Sequence, residues 1–393
     1  MNVKVAIAGG GIGGLAAALA VSRSGCEAVV FEKAAAFAET GAGIQLGPNV
    51  TRIFDGWGLL DNLQQVATAP GGLQVRSATS AAVLGELRLG QAMQRRYGAP
   101  YLTLHRADLH SLLLQAVQQT SAVVQTGCAV QSFEQNPQGV SLQTAQGFKD
   151  FDVLLGADGL WSNTRQQLLN DGPPRRTGHL AYRALVRQTD LPQPLRSHDI
   201  TAWLGPSMHA VQYPVRAGEW LNIVIFIHGN VPEDFQNWDH SANATELKAA
   251  MQGSCWPLQD LVQGVSEWRL WVMHDRPAME GAHQMAKGRI ALLGDAAHPM
   301  RPYLAQGAGM AIEDADALRR VLKEASAPNV PAALLEYGAG RWQRNARVQK
   351  RALRNGQIFH ATGPVRWGRD VAMKLVGQQL LDTPWLYGYR QQP

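Results

Sequence analysis

The chain opens with an apolar–glycine–apolar pattern. Val3 to Ala8 is a short apolar run with β-branched residues, Gly9 to Gly14 carries five glycines, and Leu15 to Ser24 is rich in Ala and Leu. The first run predicts a buried strand. The third predicts a helix closed by Gly25. Glu27 to Phe31, with Val29 and Val30, predicts a second strand with Glu32 at its end, which completes one βαβ unit. Val5 to Ser22 is apolar enough to resemble a signal peptide or a membrane span. It is broken by glycines, falls short of the roughly 20 residues a span needs, and ends in no small-residue cleavage site. No other stretch approaches a span, so the expectation is a soluble cytoplasmic protein.

Further along, Phe151 to Leu155 and Arg289 to Leu293 read as strands of the same sheet, ending in Gly156 to Gly159 and in Gly294-Asp295. Between them the texture changes. Ala181 to Val186, Ala202 to Leu204, Met208 to Val215 and Leu221 to Ile227 show partial alternation and are separated by turn residues. This predicts an antiparallel sheet inserted into an α/β domain. Ser111 to Thr120 and Ala311 to Glu324 have helical period, and the chain from about Ala332 is mostly helical and Arg-rich. No internal repeat is visible.

Composition narrows the class. The chain has 393 residues, 46% hydrophobic and 17% charged, which excludes disorder and fibre. Its length implies two or three domains. Cys26, Cys128 and Cys255 lie far apart, with no CxxC or Cys–His spacing. Neither a disulfide framework nor a metal site is expected, and a reducing compartment is. Lys plus Arg exceeds Asp plus Glu by 36 to 31, a net charge of +5 with no basic run, which argues against nucleic acid as a partner. The densest basic stretch, Arg341 to Arg354, reads as a solvated helix face.

Four segments carry candidate chemistry. Gly9-Gly10-Gly11-Ile12-Gly13-Gly14 is a GxGxxG with a strand before it and a helix after it. The glycines let the backbone approach a pyrophosphate, and the helix N-terminus offers N–H groups and a positive dipole end. Glu32, 18 residues beyond Gly14, is placed to accept from ribose hydroxyls, which favours FAD or NAD over a 2′-phosphorylated nucleotide. The others are His105 to Leu109, Gly156-Ala157-Asp158-Gly159 followed by Ser162 and Arg165, and Gly294 to Pro299 followed by Gln306 to Met310. In Met208 to Val215 the alternation puts His209 and Tyr213 on one sheet face. Taken alone, that pair reads as packed side chains with satisfied hydrogen bonds.

In this order and spacing the motifs resemble the single-component, FAD-dependent aromatic hydroxylases typified by p-hydroxybenzoate hydroxylase. The resemblance covers essentially the whole chain and rests on the glycine loop, GADG and LGDAAHP. The segments YLTLHRADLH, HAVQYPVRAGE, AQGAGMAIEDA and PWLYGY are similar to the branch holding 3-hydroxybenzoate 6-hydroxylase, salicylate hydroxylase and 6-hydroxynicotinate 3-monooxygenase.

The resemblance implies an α/β fold: a Rossmann-like FAD-binding domain (1–75, 100–175 and 276–330), an inserted antiparallel substrate domain (76–99 and 176–275) and a helical C-terminal region (331–393). It implies bound FAD, with NADH or NADPH as a transient co-substrate and O2. Gly9, Gly11, Gly13, Gly14, Glu32, Lys33, Arg106, Val130, Asp158, Asp295 and Gly307 would face FAD, Asp158 belonging to a motif linked also to NAD(P)H. The helix opened by Gly307 would point its N-terminus at the flavin N1/C2 edge, where its dipole favours negative charge. His209 and Tyr213 would be catalytic, lining a pocket with Gln45 and Pro302, while His298 braces a turn. Gln45 stands where some heterocycle-acting members carry His. Arg183 and Arg76 are the candidates for holding a substrate carboxylate. The activity implied is hydroxylation of a small phenolic carboxylate, such as 3-hydroxybenzoate or salicylate, through a flavin C4a-hydroperoxide. A hydroxypyridine hydroxylase, a flavin oxidase or dehydrogenase, and a non-enzymatic dinucleotide-binding regulator are the alternatives. A monomer or homodimer with no membrane partner completes the expectation.

Overall fold

The computed structural model describes residues 2–37, 42–229 and 244–390. Its contacts divide into two compact units. The first comprises residues 1–40, 107–175 and 275–353; the second comprises 41–106, 176–274 and 354–393.

The first unit is built on a six-stranded sheet in the order Ala286–Lys287, Ile290–Leu292, Val153–Gly156, Lys4–Ala8, Glu27–Phe31, Val123–Gln125. Its strands pair in parallel except for the terminal hairpin of Ala286–Lys287 with Ile290–Leu292. Val5, Ala6, Ile7, Leu154 and Leu155 are fully buried, as expected where a parallel sheet is covered on both faces. The helix Ile12–Ser22 is buried almost all round, which explains why its sequence shows little polar face. It packs against the helix Gly307–Lys323 closely enough that a Cβ on Gly13 would lie 3.4 Å from the Ala311 Cβ. A three-stranded sheet, Val130–Gln135, Val140–Thr144 and Gly147–Phe151, completes the unit.

The second unit is built on a seven-stranded sheet in the order Arg269–Asp275, Arg175–Arg187, Trp220–His228, Met208–Val215, Ile200–Gly205, Gly72–Ser77, Val83–Arg88. The expected antiparallel sheet includes a parallel pair, Ile200–Gly205 with Gly72–Ser77. One face carries Leu180, Tyr182, Ala210, Ile223, Ile225 and Ile227, packed under Leu247, Leu258 and Leu261 of two short helices and under Met251 between them. The other carries His209, Tyr213, Asn222 and Arg183, by strand alternation and the register Tyr213↔Asn222 and Arg183↔Val224.

These contacts group some residues differently from the domain boundaries drawn from sequence. Residues 41–75 and 100–106 belong with the second unit, because Gly43–Leu46 pairs with Leu102–His105 and Gly72–Ser77 extends the large sheet. The C-terminal residues form no unit of their own. The helix Val330–Phe359 stays in the first unit as far as Leu353, and the residues beyond pack with the second.

The solvated basic helix is also corrected. Arg347, Lys350 and Arg354 are exposed, but Arg341 is only 1% exposed. Its Nη1 lies 2.8 Å from Glu313 and its Nε 2.8 Å from Asp314, and Asp314 also accepts from Gly294 N–H (3.1 Å) and meets His298 Nε2 (2.5 Å). Burial raises the Asp314 pKa, but the charges and hydrogen bonds of His298 and Arg341 outweigh it and hold the carboxyl well below the usual carboxylate range. Breaking such a buried pair strands the partner charges, so Arg341→Leu is expected to lose about 3–5 kcal/mol in urea unfolding. Because the folded pKa of Asp314 is depressed, its stabilisation is complete at neutral pH and fades only below about pH 4, as protons bind the unfolded chain first. Asp314→Asn should therefore flatten the acid limb of stability against pH; an unchanged acid limb would show that Asp314 does not carry it.

Candidate active site

In the first unit the glycine loop is shaped by backbone crowding. Gly9 has φ +103°, and a Cβ there would sit 2.5 Å from the Ala157 carbonyl oxygen. A Cβ on Gly14 would sit 1.9 Å from the Gly9 oxygen. Only glycine satisfies both contacts. At Gly11, by contrast, a Cβ would meet nothing within 4 Å. Gly11 caps the helix Ile12–Ser22, and no side chain caps it. Helix N–H groups with no intrahelical partner thus border open space at a positive dipole end, which fits a diphosphate.

Glu32 ties this loop to the end of its strand. Its Oε2 accepts from Gly10 N–H (2.7 Å) and its Oε1 from Ala34 N–H (2.8 Å). His110 holds the loop from the other side, with Nε2 2.8 Å from the Gly10 oxygen. Before folding, nothing marks that role beyond a histidine in the first turns of an apolar helix.

The remaining dinucleotide candidates are scattered across the two units. Lys33 is exposed, and Val130 is half-buried at the start of its strand. Asp295 is exposed in the turn Gly294–Ala296, and Gly307 opens the helix Gly307–Lys323 with open space at its Cβ position. Arg106 is grouped with the second unit, where its N–H reaches the Ala42 oxygen (2.9 Å), and it is the first residue of the helix Arg106–Gln118, whose other residues are grouped with the first. Asp158 turns back on its own segment: Oδ1 accepts from Ser162 Oγ (2.5 Å), and Oδ2 from the N–H and Oγ1 of Thr164 (both 2.9 Å). Its carboxylate fixes the start of the helix Asn163–Leu169. Arg165, a few residues on, grips the Ala296 and Ala297 oxygens at 3.1 and 2.7 Å, joining the GADG and LGDAAHP segments.

Of the four pocket candidates, Gln45, His209 and Tyr213 lie in the second unit and Pro302 in the first. Tyr213 sits with Gln45, whose Oε1 accepts from the Tyr101 hydroxyl (2.7 Å). A Cβ on Gly43 would be 2.6 Å from Tyr213 Cε2 and from Asn222 Cγ, so glycine alone lets this strand press against the sheet. The Asn222 Oδ1 accepts from Gly43 N–H (2.6 Å), and its Nδ2 is buried without a partner among the described residues. Burial raises the Tyr213 pKa, with Arg183 and the Gln45 hydrogen bond opposing, so the phenol is protonated at neutral pH. His209 occupies a separate patch of the same face. It stacks on Phe226 (centroids 4.5 Å), and its Nδ1 lies 2.6 Å from His360 Nε2. Burial, then the neighbouring His360 and His179, holds its pKa well below the ordinary value, so the ring is neutral.

Arg183 lies on this face with its guanidinium 4.0 Å from the Trp271 ring centroid. Its Nε is buried without a hydrogen-bond partner, and no carboxylate pairs with it among the described residues. Burial pulls its pKa down to about 10, which still leaves a full positive charge at neutral pH. Arg76 lies on the opposite face, over Trp203 and bonded to Gln74.

A model of the FAD-binding-domain family matches residues 2–352. The 3-hydroxybenzoate 6-hydroxylase of Polaromonas naphthalenivorans is 36% identical over 392 residues, spanning 99% of this chain and 96% of that protein. The 6-hydroxynicotinate 3-monooxygenase of Bordetella bronchiseptica is 34% identical over 358 residues, spanning 88% and 90%. The solved structure of a salicylate hydroxylase substrate complex superimposes with a TM-score of 0.85 at 26% identity, covering 99% of this chain and 96% of that one. The chain belongs to the FAD-binding-domain family of flavin-dependent hydroxylases. It is an FAD-dependent monooxygenase that draws on NAD(P)H and O2. The motif resemblance, the fold class and the cofactor are thereby borne out. Among the described residues no helix is long and apolar enough to cross a membrane.

Gly9→Ala should yield protein without the yellow flavin absorbance, since the methyl group meets both an adverse φ and the Ala157 oxygen. Flavin content like that of the unmodified protein would show that the loop tolerates the change and that its tightness is not what seats the dinucleotide.

Proposed function

We propose that the protein hydroxylates a monohydroxylated aromatic carboxylate, a hydroxybenzoate such as 3-hydroxybenzoate or salicylate. The observation that carries this reading is Arg183, a cation with a buried, unpartnered Nε on the sheet face that also presents Tyr213 and Asn222. An unmatched charge in such surroundings favours an anionic ligand, and a guanidinium suits a carboxylate. The names of the relatives support the same substrate class.

In this reading the first unit binds FAD, with the pyrophosphate on Gly9 to Gly14, the adenosine ribose at Glu32, and Asp295, Gly307, Lys33 and Val130 along the rest. Arg106, Gln45, Tyr213 and His209 belong to the second unit. Bound FAD, once reduced by NAD(P)H, supplies the activated oxygen. The chain's own residues orient the ring and manage its proton. Arg183 anchors the carboxylate. His209 and Tyr213 stand four residues apart on one strand, about 13 Å between Cα atoms, with Val211 between them on the same face. Neutral His209 can accept a phenol proton, making the ring more electron-rich towards oxygen attack. Tyr213, held by Gln45, offers a hydrogen bond at the other end. We place the protein in the cytoplasm, as a monomer or homodimer without membrane or nucleic-acid partners. Its three free, buried cysteines suit a reducing compartment.

A panel of hydroxybenzoates, hydroxypyridine carboxylates and phenols lacking a carboxylate, scored for NADH consumption and product regiochemistry, tests the reading. Phenolic acids should accelerate NADH oxidation; failure of every one would end it. Arg183→Met should raise KM for the acid by at least about 30-fold, roughly 2 kcal/mol, with little effect on the uncharged phenols. Equal loss on both would remove Arg183 as the anchor. Tyr213→Phe and His209→Ala should lower product formed per NADH more than FAD content.

A further inference from the structure

We propose that His179, His228 and His360 bind a divalent transition-metal ion of the zinc class. His179 and His228 stand opposite each other where the strands Arg175–Arg187 and Trp220–His228 pair, and His360 directly follows the helix Val330–Phe359. All three belong to the second unit. They lie far apart in sequence, so ligand spacing could not reveal them and the sequence led to the expectation of no metal site.

Folding brings them to one point. One ring nitrogen from each falls within 4.8 Å of the other two. His228 Nε2 and His360 Nδ1 are 3.0 Å apart. Two nitrogens held at about 2.0–2.1 Å by a tetrahedral ion stand roughly 3.3 Å from each other, so this pair is close to ligand spacing. The His179 ring centroid is 4.1 Å from that of His228 and 5.0 Å from that of His360. Its nitrogen needs to move in by at most about 1.5 Å to complete the set, which an imidazole rotation supplies. A hydrogen bond between His228 and His360 accounts for the 3.0 Å contact alone. A third donor converging on the same point is what a cation requires.

The chemistry of the donors selects the ion. Imidazole nitrogens suit zinc, copper and nickel, and a set with no carboxylate or carbonyl oxygen does not suit calcium or magnesium. His179 and His360 are buried and His228 is exposed, which gives the ion a way in and a water a place as fourth ligand.

The site also touches the pocket histidine. His360 Nε2 lies 2.6 Å from His209 Nδ1. A metal on His360 Nδ1 leaves Nε2 as the N–H donor, so His209 Nδ1 accepts and the His209 proton stays on its Nε2; with the ion bound, His209 donates to a phenolate, and it takes the phenol proton itself only in the metal-free enzyme. Only this consequence rests on the role proposed for His209.

The test uses the FAD-loaded full chain, stripped with a chelator and then titrated with Zn2+ by calorimetry and with Co2+ by absorption. The expected result is one ion per chain, tetrahedral Co2+ bands at wavelengths beyond the flavin absorption, and binding at least about 10-fold weaker in His228→Ala and in His179→Asn. Flavin content and thermal midpoint check that the variants fold. A wild-type chain that takes up no Zn2+ and shows no tetrahedral Co2+ bands overturns the site whatever the variants do. Undiminished affinity in folded variants overturns it as well. Zn2+ that binds but leaves product formed per NADH unchanged breaks the link to His209, whereas the hydroxylase reading is decided separately by turnover of the metal-free enzyme.

Discussion

The first unit depends on two places where backbone meets backbone with no room for a methyl group: Gly9 against Ala157 and Gly14 against Gly9. Together they make the turn out of the first strand so tight that the helix starts immediately beyond it. The helix dipole is thereby brought to the sheet's carboxyl end, where ligands of open α/β sheets bind. The same economy of volume recurs at Gly13, which lets Gly307–Lys323 lie close alongside. That second helix supplies Asp314, whose carboxylate takes the Gly294 N–H and His298 and so fixes the turn at Asp295. A shortage of side-chain volume at the front of the sheet and a buried charge network behind it cooperate to place one loop and one turn.

Much of this was legible in the sequence, because it is local. A run of β-branched residues, five closely spaced glycines and an Ala-rich helix announce the βαβ unit, and the alternation over Met208–Val215 matches the observed strand end to end. What could not be read was set by distant partners. Arg341 looks like any basic residue on a long helix until Glu313 and Asp314 are folded against it. The parallel pairing of Ile200–Gly205 with Gly72–Ser77 joins segments more than a hundred residues apart. The alternation that put His209 and Tyr213 on one face said nothing of their different neighbours there, Phe226 and His360 for one, Gln45 and Asn222 for the other.

Asp158 shows a second, structural duty for a side chain inside a recognition motif. GADG helped to mark the family. Yet within this segment the carboxylate is occupied by Ser162 and Thr164, which makes it a brace for the following helix. Arg165 then carries that brace across to the Ala296 and Ala297 carbonyls, so the two signature turns are linked by one side chain. Their pairing in this chain has a mechanical basis as well as a chemical one.

If Arg183 anchors the substrate carboxylate as proposed, it has a bearing on how the catalytic cycle ends. A guanidinium that grips a benzoate grips the dihydroxylated benzoate equally well, because adding oxygen to the ring leaves the carboxylate as it was. Discharge of product must then be governed at the far end of the ring, where the new hydroxyl appears, and an accumulating product would compete with fresh substrate. A reaction that expelled the carboxylate as carbon dioxide would behave in the opposite way: the anion would vanish in the chemical step, and the cation would release the product by losing its counter-charge.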